Sequence, residues 1–328
     1  MYNASDYLPE CLNSIQRQSL KEIEILVIND GSTDSSLDII ESFAKVDSRI
    51  HVINQKNSGP GASRNSGIRV AKGKYIGFVD ADDLVEPAIF QRLYEAMEDS
   101  GSDFCVCNAK VIENGQENLR LKKLKEGTID FISDRTRAIE DLMQFKYDYA
   151  NWNKLYSRRI ITDNSILFAE HITKGEDLLF NLIYFLHCNK GCVVDMALYK
   201  YIVRNSSLMQ NNKFSVMKDF TNVARQFEYY VSENKSAELL QAFRYEMLRV
   251  CLYELLRFVH DISRSNQPFS EKKKLIKREF GVFKTLQYLN RITSRKLSFQ
   301  QKLKLILLQT NFTSILIWIE LFYSNREK

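Results

Sequence analysis

The sequence predicts an α/β fold, with a mostly parallel sheet flanked by helices over residues 1–205 and a helical C-terminal region over residues 206–328. Three observations carry this expectation. Across residues 22–111, short β-branched runs alternate with amphipathic stretches, the pattern of βαβ units. Two of those runs end in carboxylates followed by turn residues, as strands do where a nucleotide-type ligand site opens beyond their C-terminal edge. Beyond Ser206 the hydrophobic period becomes helical almost throughout.

In chain order the strands are expected at residues 23–29, 50–53, 75–79 and 104–107, with helices at 7–18, 35–46, 62–71 and 88–100. Ser32, Thr33 or Asp34 is available to cap the second helix, and Pro87 suits the first turn of the fourth. Residues 109–134 are polar and read as a β-hairpin or insert. A helix near 136–145, a strand near 152–156, a helix over 176–186 and a strand over 193–199 follow, and helices at 216–231, 237–259, 271–280 and 300–323 complete the chain.

With 328 residues and 45% hydrophobic content, the chain has ample material for a core and is neither disordered nor fibrous. Its six cysteines include no C-x-x-C pair, so they read as reduced, buried thiols rather than disulfides or a zinc site. The net charge of +5 conceals an asymmetry, since residues 1–120 carry 12 Lys/Arg against 19 Asp/Glu whereas residues 264–328 carry 14 against 4. An acidic front without a recognition motif excludes nucleic acid as a partner. No apolar run reaches the roughly 18 residues of a membrane span, and no secretory signal opens the sequence, so a cytoplasmic protein is expected.

Four segments carry chemistry. The run Val27-Ile28-Asn29-Asp30-Gly31-Ser32-Thr33-Asp34 is a strand ending at Asp30, which points where a base or ribose binds; it reads equally as a solvated Asp-Gly turn. The loop from Asn57 to Asn65 enters a helix, where free N–H groups and Arg64 suit a diphosphate, although Arg64 also reads as an ordinary surface arginine. The run Phe78-Val79-Asp80-Ala81-Asp82-Asp83 places three acids within four positions. Like charges so close repel unless a cation relieves them, and Mg²⁺ or Mn²⁺ takes one or two carboxylates with phosphates and water. The pair Glu176-Asp177 opens an amphipathic helix, where it serves either as a helix-dipole cap or as a general base with its pKa raised by the adjacent acid.

Taken with Tyr2-Asn3-Ala4-Ser5-Asp6-Tyr7-Leu8 and Trp152-Asn153-Lys154-Leu155-Tyr156, these motifs resemble, in order, the family 2 glycosyltransferases, an inverting group with a GT-A-type fold found among bacterial enzymes of capsule, exopolysaccharide and cell-wall glycan synthesis. The likeness covers about residues 1–205. It implies Asp30 as the base contact, Asn57 and Arg64 as further donor contacts, and Asp80 as the ribose-side acid. It also implies Asp82 as the principal metal ligand with Asp80 and Asp83 assisting, Asp177 with Glu176 as the catalytic pair, and Trp152 and Lys154 on the acceptor side. The donor implied is a UDP-sugar, and the acceptor a glycan or lipid-linked hydroxyl. One departure stands out: the family carries a hydrophobic strand before Tyr-Asn, and this chain begins Met1-Tyr2-Asn3, so its first strand is expected to be missing.

Two rival classes follow from the same residues. A catalytically silent sugar-nucleotide-binding or scaffold protein would keep the donor motifs without turnover, and a nucleotidyltransferase would need a Gly-rich basic loop that the sequence lacks. The basic C-terminal region, with Lys272-Lys273-Lys274, Lys277-Arg278 and the aromatic residues Trp318, Phe322 and Tyr323, fits either an anionic membrane surface at the inner face of the cell membrane or a helix packed on the protein.

Overall fold

The computed structural model describes residues 1–121, 124–204, 216–233 and 237–283. The chain forms two compact units, Met1–Asn211 and Asn212–Lys328. The helix expected over 300–323 and its aromatic residues lie outside the described residues, as does the change of pattern near residue 206.

The first unit runs α1 (Leu8–Gln16), β1 (Ile25–Asp30), α2 (Ser36–Val46), β2 (Ile50–Gln55), α3 (Pro60–Val70), β3 (Tyr75–Gly77), β4 (Leu84–Val85) and α4 (Ile89–Ser100). It continues β5 (Phe104–Glu113), β6 (Gln116–Leu119), β7 (Gly127–Asp130), α5 (Arg135–Met143), β8 (Lys154–Ser157), α6 (Arg158–Asp163), α7 (Glu176–His187) and β9 (Lys190–Ile202). Apolar periodicity explains the helices. In α4, Ile89, Leu93 and Met97 fall on one face and are fully buried, and Gly101 ends the helix in the left-handed conformation at φ 63°. Pro60 occupies the first turn of α3, where a missing N–H costs nothing. The polar insert opens with a β5–β6 hairpin whose turn is Asn114-Gly115, both at positive φ, as a two-residue hairpin turn requires.

The strands form two sheets. In one, β1 and β2 pair in parallel; the other has the order β3-β8-β5-β9-β4, with β6 added to β5 and β7 to β9. Parallel pairing is confined to β1 with β2 and β5 with β9, so the larger sheet is mixed rather than mostly parallel. The β5–β6 hairpin and the antiparallel pairings of β3 and β5 with β8 and of β4 and β7 with β9 give it its mixed character. Met1 donates its ammonium to Ile28 O at 2.7 Å and accepts from Asp30 N at 2.8 Å, so the first residue runs alongside β1. Among the described residues no strand joins β1 to β3.

The core centres on β5, where Phe104, Cys105, Val106, Cys107 and Ala109 are fully buried. The ring of Phe104 packs on Phe131 and Phe185, and Gly191 on the neighbouring strand makes room for it, since a Cβ there would lie 2.1 Å from the ring. A second aromatic group joins Phe78 and Tyr156 to Phe168 and Phe180. All six cysteines are free and buried.

The second unit contains α8 (Val216–Glu233), α9 (Ala237–Arg264) and α10 (Phe269–Phe283). Their shared core includes Phe227, Phe243, Met247, Leu255, Ile276 and Phe283. None of the described helices is long and apolar enough to cross a membrane.

Candidate functional site

The carboxyl ends of β1 and β3, the first turns of α3 and α7, and the end of β9 supply the site. Its hub is Arg64, in the second turn of α3. Its Nη1 donates to Glu176 Oε1 at 3.1 Å and Asp177 Oδ1 at 3.0 Å, and its Nη2 donates to Asp80 Oδ1 at 3.1 Å. The guanidinium also lies 5.3 Å from the centroid of the Phe168 ring. Three carboxylates from two distant segments thus meet around one cation.

These charges set one another's ionisation. Burial works against the charge of Arg64, but Asp177, Asp80 and Glu176 outweigh it and raise its pKa. Burial is likewise the largest influence on Asp177 and, reinforced by Glu176 and Asp80 against the opposing pull of Arg64 and Lys154, pushes its carboxyl up to about 8. Burial raises Glu176 as well, with Arg64 restraining it. A carboxyl with its pKa raised toward neutrality suits a general base. Gly175, at φ 94°, turns the chain so that α7 begins with this pair.

Asp80 and Asp82 are partly exposed. Asp82 has its pKa raised, first by burial and then by Asp80, while Arg204 draws it down. Asp83 does not join them. Its Oδ2 accepts from Tyr199 OH at 2.9 Å and its Oδ1 from Ile202 N at 2.8 Å, and its side chain turns into the sheet with 1% exposure. The expected third metal ligand is therefore a strut between the acidic turn and β9, since both of its oxygens are engaged. Among the described residues no three His, Cys, Asp or Glu side chains gather into a closed metal cage. Two adjacent oxygen donors nevertheless match a hard cation that completes its shell with phosphate and water.

Asp30 is 3% exposed and already engaged, its carboxylate accepting from Gln55 Nε2 at 2.8 Å, Ser58 N at 2.9 Å and Gly59 N at 2.8 Å. It thereby fixes the loop that leads Arg64 into place. Gly31 follows at φ 70°, where a Cβ would meet Asn57 N at 2.8 Å. A cleft of about 550 Å³ opens at the ends of β1 and β2, lined by Asn29, Gly31, Asn54 and Asn57 among others. Its lining holds Asn57 but none of the carboxylates around Arg64. The Tyr2–Asp6 motif docks on the Ser32–Ser36 turn: Asn3 N donates to Ser32 Oγ, Thr33 N to Asn3 Oδ1, Ala4 N to Ser36 Oγ and Ser5 N to Asp34 Oδ2, and of the three expected caps Asp34 accepts from Ser36 N at the start of α2 at 3.0 Å.

The two acceptor-side residues are placed differently from the expectation. Lys154 is 1% exposed, and its ammonium donates to Asp148 O at 3.0 Å, Ala150 O at 2.7 Å and Asn153 Oδ1 at 2.9 Å. Its three donors are used within the protein, which removes it from substrate contact, and burial lowers its pKa to about 8. Trp152 is 5% exposed and stacks on Tyr199 with ring centroids 4.3 Å apart.

Sequence reasoning missed Tyr199 and Arg204. The hydroxyl of Tyr199 accepts from Asp80 N while donating to Asp83, and Arg204 Nη2 donates to Asp82 O with its guanidinium 3.9 Å over the Tyr7 ring. Neither residue sits in a motif; only the path of β9 past the acidic turn brings them there.

The sequence pattern of the family described as glycosyl transferase family 2 matches residues 1–163. The uncharacterized glycosyltransferase EpsJ of Bacillus subtilis is 31% identical over 277 residues, covering 84% of this chain and 80% of that protein. The crystal structure of Staphylococcus aureus TarS 1–349 superposes with a TM-score of 0.68 at 22% identity, covering 99% of this chain and 89% of the other, and the same fragment in complex with UDP-GlcNAc gives 0.60 at 21%, covering 92% and 75%. The mannosyltransferase PcManGT of Pyrobaculum calidifontis, in complex with GDP-Man and Mn²⁺, gives 0.53 at 10%, covering 90% and 86%.

Proposed function

The chain belongs to glycosyl transferase family 2, and from that premise we propose that it transfers a sugar, with inversion, from a UDP-sugar to a hydroxyl of a bacterial surface glycan or its lipid-linked precursor. The observation that carries the reading is the convergence of Asp80, Glu176 and Asp177 on Arg64. In this reading Asp177 takes the proton of the acceptor hydroxyl as its oxygen bonds to the anomeric carbon. The bond from that carbon to the diphosphate breaks, and its electron pair leaves with UDP. Glu176 and Asp80 keep Asp177 basic, and Arg64 holds all three in place. Asp30 and Asn57 frame the nucleoside side, and Trp152 with Tyr199 braces the acidic turn.

Asp82 and Asp80 would hold a divalent cation, Mg²⁺ or Mn²⁺, which supplies Lewis-acid stabilisation of charge on the departing diphosphate. The catalytic residues all lie within residues 1–205, which we assign as the transferase domain, with residues 206–328 as an appended helical region. For that region we propose contact with an anionic membrane surface: α10 buries Ile276, Phe280 and Phe283 and leaves Lys274, Lys277 and Arg278 exposed.

The test is release of UDP from a panel of UDP-sugars with Mn²⁺, with and without a mixture of glycan acceptors. Donor-dependent release stimulated by acceptor supports the reading; metal-dependent nucleotide binding without release supports the catalytically silent alternative. Sedimentation with vesicles containing phosphatidylserine, against neutral vesicles, tests the membrane contact, and equal partition refutes it.

A further inference from the structure

Residues 164–175 join α6 to α7 and lead directly into Glu176 and Asp177 without a helix or strand of their own. Phe168 in this segment is buried, so its main-chain N–H and C=O need partners within the protein. Both come from one side chain on α3. Asn65, also buried, donates from Nδ2 to Phe168 O at 2.9 Å and accepts from Phe168 N at its Oδ1 at 2.8 Å, the reciprocal pairing of a strand neighbour. Its Nδ2 also donates to Glu170 Oε1 at 3.0 Å. Two further main-chain bonds of the segment, Ile166 N to Ile161 O at 2.9 Å and Ile172 N to Ala169 O at 3.1 Å, are local.

The neighbour of Asn65 is Arg64, and Phe168 links the cation to the helix of the base. Its ring lies 5.3 Å from the Arg64 guanidinium and stacks on Phe180 of α7, with centroids 4.2 Å apart and planes 3° from parallel. Phe180 follows Asp177 within one turn of the same helix. A shift of Phe168 along α3 would therefore carry the start of α7 with it and change the 3.0 Å contact between Arg64 Nη1 and Asp177 Oδ1. The first turn of α3 also approaches this stretch closely: a Cβ on Gly61, on the same helical face as Asn65, would stand 3.5 Å from both Ala169 O and Phe168 Cβ.

Proton abstraction is sensitive to this placement, because a misplacement of about 1 Å can cost on the order of 10²-fold in rate. We propose that Asn65 is a positioning residue for the transfer: its amide fastens Phe168 to α3 and so holds Asp177 against Arg64 in the geometry from which it takes the acceptor's proton. This assignment rests on the transferase reading above. Glu170 has a lesser part, since its side chain is half exposed and its carboxylate is shared with Arg69 at 3.6 Å.

The experiment compares wild type with Asn65→Ala, with Asn65→Ser in case the first does not fold, and with Glu170→Gln, which keeps the pairing to Phe168. Each protein is read for its thermal midpoint, for the Kd and stoichiometry of UDP binding with Mn²⁺, and for kcat and KM of acceptor-stimulated UDP release. The kcat is counted per UDP-binding site, so that unfolded protein does not enter it. In the Asn65 variants kcat should fall about 10- to 100-fold while Kd and KM stay within about twofold, and Glu170→Gln should stay within about twofold of wild type throughout. A wild type that releases no UDP from any donor overturns the transferase reading and this assignment together. An active wild type whose Asn65 variants lose thermal midpoint but keep kcat per site overturns this assignment alone and leaves Asn65 as a staple of the fold, as does failure of both variants to fold. A rise in Kd or in the KM for donor in step with the fall in kcat places Asn65 on the donor side and overturns it as well. So does a Glu170→Gln variant as slow as Asn65→Ala, which would move the role to the carboxylate.

Discussion

Replacing Arg64 by Met removes one cation from among three carboxylates and tests whether the hub is electrostatic. Its side chain is 15% exposed, and its partners Glu176, Asp177 and Asp80 are 11, 18 and 35% exposed. Breaking a buried pair by deleting one partner costs about 3–5 kcal/mol, and the open position of Asp80 argues for the lower end, about 3 kcal/mol at pH 8.5. The cost depends on pH with a definite sign. Without Arg64 the carboxyls of Asp177 and Glu176 rise further above their ordinary values, so the folded variant binds protons that the unfolded chain releases. Its stability is then present below the ordinary carboxylate range and is lost as pH rises through the raised folded values. At pH 5, well below the value of about 8 to which burial already pushes it, Asp177 is neutral with or without Arg64, so the variant leaves fewer carboxylate charges uncompensated than at pH 8.5. The destabilisation should therefore be about 3 kcal/mol at pH 8.5 and smaller at pH 5. Urea unfolding at both pH values, followed by Trp152 fluorescence in a Trp318→Phe background, measures it. A loss that is equal at the two pH values, or larger at pH 5, would refute the electrostatic account and leave packing against Phe168 as the role of Arg64.

Four further outcomes follow from the geometry. Asp177→Asn should lower transfer by about 10²- to 10⁴-fold while UDP affinity stays within a few-fold, and a variant that retains normal turnover removes Asp177 as the base. Because burial and its acidic neighbours raise Asp177, the acid limb of the rate profile should lie well above the ordinary carboxylate range, and a limb near pH 4 contradicts that environment. Asp82→Ala should abolish the dependence of UDP binding on Mn²⁺, as should chelation of the wild type, whereas Asp83→Asn should leave that dependence intact and lower the thermal midpoint; the reverse pattern would exchange their roles. Gly191→Ala should destabilise by about 2 kcal/mol or more in thermal unfolding, since its Cβ would meet the Phe104 ring at 2.1 Å; an unchanged midpoint would mean that the ring moves freely.

How far the sequence anticipates the site depends on whether a residue's role is local or comes from a distant contact. The strand ends at Asp30 and near Asp80 and the helix start at Glu176 follow from short-range patterns, and the structure places elements there within a few positions. Lys154 shows where local reasoning stops. The family likeness implies it on the acceptor side, yet a position in the sheet interior, paired across to Val106, gives its ammonium three acceptors inside the protein. Asp83 has the same history: three clustered acids suggest three ligands, but β9 passes close enough to claim one of them through Tyr199 and Ile202. What separates Asp82 from Asp83 is a contact 116 residues away in sequence, which no spacing rule contains. The like-charge argument that made the cluster look metal-binding therefore needs amending. Hydrogen bonds to β9 already satisfy Asp83, and Arg64 already compensates Asp80, so the demand for a cation falls chiefly on Asp82, whose carboxyl is raised by burial and by Asp80. A cation held mainly by one protein carboxylate depends on the donor's phosphates for most of its remaining ligands. Metal and nucleotide should accordingly bind cooperatively, with Mn²⁺ weakly held alone and tightened by UDP. Calorimetric titration of Mn²⁺ with and without UDP measures that coupling, and equal affinity in the two titrations would return Asp83 to the metal.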